Sequence, residues 1–286
     1  MRSPREDRMQ GARSLIAALV GTFVLLCALA PVRGADGGTT ERSGSWWSLW
    51  SWIDDLFGLS LGGVTYGSDE AGRIIGSDRL VHSVRAISGA HRIELRGPIE
   101  LVIKQMAEDK LTLHTDDNIA PLVETSVDNG VLRIALRAGA SFRSRHAIGA
   151  TVELARLDAL SVQGPGDATC ADLDANSLEI ALNGPGEVHF ESLHSAALTV
   201  RSQGSGAVRV TGTSPRQDYL LEGSGDVDAS ELAGRVVTVR ASGSGVAQVW
   251  AAESLTVDIS GTGEVRYRGQ PALTSSVHGT GRLIHQ

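Results

Sequence analysis

"LEIALNGPGEVHF", residues 178–190, sets a Gly-Pro-Gly triplet between two stretches in which every second residue is apolar. Leu178, Ile180 and Leu182 lead into it; Val188 and Phe190 leave it. Alternation of this kind marks strands with one face buried and one wet. The triplet recurs. Gly-x-Gly stands at Gly164 and Gly166, Gly184 and Gly186, Gly204 and Gly206, Gly223 and Gly225, Gly243 and Gly245, Gly261 and Gly263, and Gly279 and Gly281, at intervals of 18 to 20 residues. The flanks recur with it. Leu160, Ile180, Val200, Tyr219, Val239, Val257 and Ser275 stand four residues before each first glycine, and Ala168, Val188, Val208, Val227, Ala247, Val265 and Leu283 four residues after.

A period of two inside a period of about 20 predicts an all-β, right-handed parallel β-helix-like solenoid, each unit forming one coil stacked on the next. At ~3.3 Å per strand residue a coil measures roughly 60 Å around, which suits three short sides. One strand enters the triplet and one leaves it, and Leu173, Leu193 and Leu232 suggest a third side. The glycine pairs then mark a shared corner, where the chain turns sharply, often with positive φ, and where coils above and below approach closely. Pro, Ser or Thr between the glycines is ordinary turn chemistry. Upstream, "HRIELRGPIELVIKQ", "KLTLHTDD" and "GVLRIALR" read as strands of the same domain, with Asp128-Asn129-Gly130 a tight-hairpin signal. "NIAPLVETS" reads as a loop or short helix, and "AGASFRSRHAIG" as a protruding loop with a basic tip.

The chain opens on four arginines, Arg2, Arg5, Arg8 and Arg13, ahead of the apolar run Leu15 to Ala30. This is the layout of a secretory signal, here residues 1–34 with cleavage after Gly34, and it implies an exported protein in the periplasm, at the outer-membrane surface or outside the cell. A membrane anchor is the alternative, but a span needs ~20 apolar residues. Without that segment the chain keeps 21 basic against 31 acidic residues, a surface that repels phosphate backbones, so nucleic acid is excluded as a partner.

Residues 35–78 read as a linker that carries "WWSLWSWIDDLF", residues 46–57. On a helix, Trp46, Leu49, Trp50, Ile53, Leu56 and Phe57 share one side, with Trp47 and Trp52 adding aromatic bulk. Peripheral membrane contact is one reading. Asp54 and Asp55, where membrane-surface helices carry Lys or Arg, point instead to capping or partner docking.

The stretches "VRAISGAHRIELRGPIELVIKQ", "VDNGVLRIAL", "LEGSGDVDASEL" and "LTVDISGTGEVRYRGQP" together resemble the head GIN domain of putative auto-transporter adhesins, over roughly residues 80–286. The resemblance implies a β-helix-like fold in exported envelope proteins and, by its name, adhesion; it carries over no catalytic residues. An auto-transporter carries a C-terminal translocating barrel, which no stretch up to Gln286 reads as, so secretion through a barrel of its own is not expected.

The residues themselves propose little chemistry. The glycine pairs lack the third glycine and helix of a dinucleotide fingerprint. Ser205, Ser224 and Ser244 lack the glycine two residues before a nucleophile elbow and read as corner serines. His189 and His194 fall on different parts of one coil and read as solvated surface rather than metal ligands. Asp167, Glu187, Asp226 and Glu264 form an acidic ladder, but Ala207, Val246 and Arg282 interrupt it, and its period is twice that of a calcium β-roll. Cys170 shares its place in the coil with Phe190 and Val210 and reads as buried core. No cofactor is expected. The resulting expectation is a non-enzymatic envelope module that offers a surface to an envelope protein or glycan, with a polysaccharide-active enzyme or a purely structural periplasmic spacer as alternatives.

Overall fold

The computed structural model describes residues 72–286. The expected leader, residues 35–71 of the expected linker and the aromatic segment with Trp46, Trp47, Trp50, Trp52 and Phe57 lie outside the described residues; residues 72–78, read as linker, instead carry a strand. The N-terminal part runs β1 (Ile74–Ile75), β2 (Leu80–Ala86), β3 (Arg92–Arg96), β4 (Ile99–Gln105), β5 (Lys110–Asp116), a 3₁₀ turn (Ala120–Leu122), β6 (Val123–Asp128), β7 (Val131–Leu136), β8 (Phe142–Arg143) and β9 (Ile148–Leu154). The repeats then give β10 (Ala159–Gln163), β11 (Asp167–Cys170), β12 (Leu173–Gly184), β13 (Glu187–Gly204), β14 (Ala207–Thr213) and β15 (Arg216–Gly223). The last coils are β16 (Asp226–Ala241), β17 (Val246–Ile259), β18 (Glu264–Arg268), β19 (Ala272–Val277) and β20 (Arg282–His285).

The strands form a β-solenoid of about six turns between the first and last triplets. Segments entering the triplets pair in parallel as a leading sheet, so that Leu160, Ile180, Val200, Tyr219, Val239 and Val257 are register neighbours. Segments leaving the triplets form a trailing sheet in the same way, from Ala168 through Val188, Val208, Val227, Ala247 and Val265 to Leu283. The third side is short: Leu173, Leu193, Gly212 and Leu232 succeed one another. All these apolar residues except Leu283 are buried in a single cluster. At ~1.5–3 kcal/mol per buried Val, Leu or Ile, these columns supply the stability that chain entropy opposes.

The corners show why glycine stands there. Gly204 is the register neighbour of both Gly184 and Gly223. The hydrogen-bond ladder continues round the corner: the Gly184 carbonyl accepts from Gly206 N–H at 2.9 Å, and the Gly223 carbonyl from Ser244 N–H at 2.8 Å. Each carbonyl therefore points at the coil above, where a side chain would begin. A Cβ on Gly186 would lie 2.0 Å from the Gly166 oxygen, and one on Gly243 1.7 Å from the Gly223 oxygen. The column of second glycines continues to the end of the stack. A Cβ on Gly225 would lie 2.3 Å from the Gly206 oxygen, on Gly245 1.9 Å from that of Gly225, on Gly263 2.7 Å from that of Gly245, and on Gly281 2.7 Å from that of Gly263.

Close approach of backbones, not positive φ, is thus the main cause, which corrects the expectation of frequent left-handed turns. Of the triplet glycines only Gly164, Gly184, Gly204 and Gly279 have positive φ; Gly223, Gly243 and Gly261 do not, nor does any second glycine, Gly166, Gly186, Gly206, Gly225, Gly245, Gly263 or Gly281. The second glycine leads directly into the trailing strand, so its backbone has no need of the left-handed region, and only the coil beneath forbids a side chain there.

The N-terminal coils do not stack in chain order. β3 and β4 form a coil whose corner is Gly97-Pro98, with the buried Ile99 in the place of the second glycine. This coil lies between β10–β11 on one side and β7–β9 on the other. The chain reaches that outer position through β5, which runs antiparallel between β2 and β9, and through the β6–β7 hairpin. The hairpin turns at Asn129 and Gly130, both at positive φ, as the Asp-Asn-Gly signal predicts. "NIAPLVETS" divides: Ala120–Leu122 forms the 3₁₀ turn, and the following residues belong to β6 rather than to a loop, because they pair with β7. Ile119, Leu122 and Val123 bury themselves at this end of the core, and Arg85 ties the turn down through the Val123 carbonyl and Thr125 Oγ1, both at 2.8 Å. Burial lowers the Arg85 pKa from its ordinary value. The other end is open: every residue of β19 is exposed.

Polar groups interrupt the core columns of the leading sheet at Ser202, between Leu182 and Leu221, and at Gln217. Gln217 stands between Leu198 and Val237 and is buried. It accepts from the Tyr219 hydroxyl at 2.8 Å and donates to the Ser214 carbonyl at 2.9 Å. Burial pushes the phenol far above its ordinary pKa, so it stays a neutral donor. Tyr219→Phe leaves the Gln217 oxygen without this partner and is expected to cost about 1–3 kcal/mol. Urea denaturation of variant and parent measures this, and a difference below about 0.5 kcal/mol would mean the hydroxyl contributes no net bond.

Candidate functional site

Tight corners are forced where coils lie on both sides. The corner between β7 and β9 has a parallel coil, that of β3 and β4, on one side only; on the other it meets the antiparallel β5 and β6 and the turn between them, and it spans residues 137–147. The basic-tipped stretch expected here as a protruding loop is held at several points. β8 pairs in parallel with β1, Ile74 opposite Phe142 and Ile75 opposite Arg143. Asp116, at the end of β5 and fully buried, accepts from Ser144 Oγ at 2.7 Å through one oxygen and meets His146 Nδ1 at 2.9 Å through the other. The His146 N–H donates to Ser144 Oγ at 2.9 Å. Arg145, on the outside, pairs with Asp78 at 3.3 Å. Asn118 adds a bond from its amide to the Ile75 carbonyl at 2.7 Å.

The tethered corner overhangs a depression of about 300 Å³ lined by Pro98, Glu100, Phe142, Arg145, His146, Pro165 and Asp167. A second hollow of about 310 Å³ continues along the trailing sheet past Glu100, Asp167, Thr169, Glu187 and His189. The surface therefore combines one phenyl ring, two imidazoles, two prolines, three carboxylates and one guanidinium over four neighbouring coils.

Asp116, His146 and Ser144 are the residue types of a hydrolytic triad, but their wiring differs. The serine donates to the carboxylate, and the imidazole faces that carboxylate instead of the serine proton, so this arrangement holds no base for a serine nucleophile. Asp78, Asp116 and His146 bring three ligand atoms within 4.8 Å of one another, but Ser144, His146 and Arg145 already engage the carboxylates. What the group does is fix the corner.

The other residues that the sequence singles out are dispersed. The triplet glycines, from Gly164 and Gly166 to Gly279 and Gly281, run along one edge of the stack, and none of them lines either hollow. Ser205, Ser224 and Ser244 project from that edge into solvent. The acidic ladder has a structural role: Asp167 Oδ1 accepts from Glu187 N–H at 2.8 Å, and Asp226 Oδ1 from Val246 N–H at 2.9 Å. His189 lies on the trailing sheet, while His194 lies on the third side 3.9 Å from Asp174. Cys170 is buried, and burial pushes its thiol up to about 11, so it is inert at neutral pH. Asp116, Phe142, Ser144 and His146 carry no spacing signal in the sequence; only the basic tip around them does.

The charged outer face of the leading sheet is a separate feature. Glu94 lies between Arg96 and Arg133, the latter at 2.9 Å; desolvation raises its pKa, but hydrogen bonds from the two guanidinium groups outweigh that and hold the carboxyl below its ordinary value.

No protein of curated function matches the sequence. Among solved structures, the chain resembles a putative adhesin from Bacteroides fragilis, with 24% identity and a TM-score of 0.69 over 74% of this chain and 100% of that one. It also resembles a putative lipid binding protein from Parabacteroides distasonis, with 22% identity and a TM-score of 0.64 over 75% and 99%. A putative adhesin from Parabacteroides merdae gives 20% identity and a TM-score of 0.60 over 75% and 99%. At these identities the likeness is one of fold. Residues 91–271 match the family described as "Putative auto-transporter adhesin, head GIN domain", and the chain belongs to that family.

Proposed function

We propose that this chain is an exported envelope module that uses the rigid solenoid as a mount and binds a glycan or an envelope protein in the depression beneath the 137–147 corner. The apolar run after the N-terminal arginines supports export, and the family name supports adhesion. The observation that carries the reading is the buried Asp116 clip. It fixes Phe142 and Arg145 over Glu100 and Asp167 in advance of any ligand. A ring beside groups of both charges suits a hydroxyl-rich or zwitterionic partner, and a pre-set surface lowers the ordering cost of binding.

The full chain is expected to bind at least one member of a glycan and cell-surface panel. Phe142→Ala combined with Arg145→Ala should weaken that binding at least tenfold, about 1.4 kcal/mol, while circular dichroism at the binding temperature shows the solenoid still folded. Binding that survives this pair but disappears when residues 46–57 are removed would favour the spacer, with its aromatic segment as the contact. Polysaccharide turnover abolished by Glu100→Gln or Asp167→Asn would replace the non-enzymatic reading.

A further inference from the structure

We propose that His82 and His114 form a binding site for a divalent transition-metal ion on the outer face of the trailing sheet. β2 and β5 are antiparallel, and His82 is the direct register partner of His114. The two Nδ1 atoms are 2.7 Å apart, and the rings meet edge to face with centroids at 4.7 Å and an interplanar angle of 82°. Both imidazoles thus aim the same ring nitrogen at one point.

At that separation one nitrogen carries a proton and the other a lone pair. His114 Nε2 lies 3.4 Å from Thr151 Oγ1 on the neighbouring β9. A proton held there leaves the His114 Nδ1 lone pair free, as an outer-shell partner does for a metal-bound imidazole. His82 is exposed, so its proton transfers from Nδ1 to a water-facing Nε2 at little cost. Two lone pairs then converge on one position and no net proton is released.

A metal ion bound ~2.0–2.1 Å from each nitrogen needs them about 2.9 Å apart for a right-angled arrangement and about 3.3 Å for a tetrahedral one. The observed spacing requires an opening of only about 0.2 Å for the right-angled case, which suits Cu²⁺ or Ni²⁺ better than Zn²⁺. The remaining ligands are water. Asp116, two residues along the same strand, is engaged by Ser144 and His146 and is not a ligand. The pair is separate from the depression assigned to partner binding, so each proposal stands or falls alone.

The test is Cu²⁺ and Ni²⁺ titration of the untagged full chain, whose eight histidines all lie at or beyond residue 82. One equivalent is expected to bind at least tenfold more tightly than it does to His82→Asn or His114→Asn, while His194→Asn, on the third side of the solenoid, binds like the parent. The electron paramagnetic resonance spectrum of the Cu²⁺ form should show two equatorial nitrogens, reduced to one in either variant. Circular dichroism confirms that the variants fold, and the two-nitrogen signature of the parent tests the site independently of any variant. Parent-like affinity in both asparagine variants, a spectrum without two nitrogens, or no binding at about 100 μM, a concentration at which a site of even modest affinity would fill, would each overturn the proposal.

Discussion

Replacing Gly243 by alanine is expected to destabilise the protein by about 3–5 kcal/mol, more than the typical single substitution. The added Cβ would lie 1.7 Å from the Gly223 oxygen and 2.7 Å from both the Gly223 carbonyl carbon and nitrogen. These are backbone atoms of the coil beneath, so no side chain can rotate away. Relief requires lifting one coil from the next and breaking the bond from Ser244 N–H to the Gly223 carbonyl at 2.8 Å. Gly243 is not at positive φ, so alanine suffers no backbone strain of its own and the whole effect measures the coil contact. For a domain of this size, each kcal/mol moves the melting temperature by about 2–4 °C, giving a fall of roughly 6–20 °C. The exposed neighbour Ser244→Ala should change stability by less than about 0.5 kcal/mol. A Gly243→Ala protein that melts within about 2 °C of the parent, the shift expected of a single kcal/mol or less, would show that the corners do not stack closely.

Asp116→Ala should release the long corner. The carboxylate is fully buried and receives Ser144 and His146, both from the 137–147 segment. Hydrogen bonds to a charged group contribute about 1.5–3 kcal/mol each, offset in part by removal of a buried charge, so a net loss of about 2–4 kcal/mol is expected. The loss is local, because the core columns do not depend on this corner. The readout is therefore trypsin cleavage after the exposed Arg143 and Arg145, which should accelerate at least tenfold, together with a loss of partner binding. Asp116→Asn, which keeps an acceptor for Ser144, should fall between the two. Parent-like resistance to trypsin in Asp116→Ala would mean that the β1–β8 pairing alone holds the corner.

The contrast between these two positions reflects what a sequence can display. The coil repeat is legible because each turn imposes the same constraints about 20 residues apart: an apolar residue at Ile180 requires one at Val200, and glycine at Gly184 requires one at Gly204. The second glycines show the same constraint from Gly206 through Gly225, Gly245 and Gly263 to Gly281, although the reason is the carbonyl beneath each and not the φ that a glycine corner suggests. Constraints that operate only once leave no period. Gly97-Pro98 is a corner of the same edge, but its second glycine is Ile99, so a search for glycine pairs passes over it. The order of the first coils is hidden because β7 and β9 reach an outer position through antiparallel strands that look like any others. The clip joins residues 28 and 30 positions apart, and the histidine pair residues 32 apart. In each case the partners meet across strands whose pairing local patterns do not encode. The corner 137–147 is readable as a loop with a basic tip, but its attachment to Asp116 and β1 is not.

The same register can be measured directly by spin labels on the outer face of the leading sheet. Ser161 and Ala181 are register partners, Ala181 and Arg201 follow, and Arg240 lies two coils further on. In a Cys27→Ser background, with the buried Cys170 unreactive, nitroxides at 161 and 181 should sit about 4.8 Å apart at the backbone and those at 161 and 201 about twice that. Stacked coils predict spectral broadening that is strongest for 161/181, weaker for 161/201 and weakest for 161/240. Equal broadening in the three pairs, or an order that follows anything other than the number of intervening coils, would contradict the solenoid on which every other inference rests.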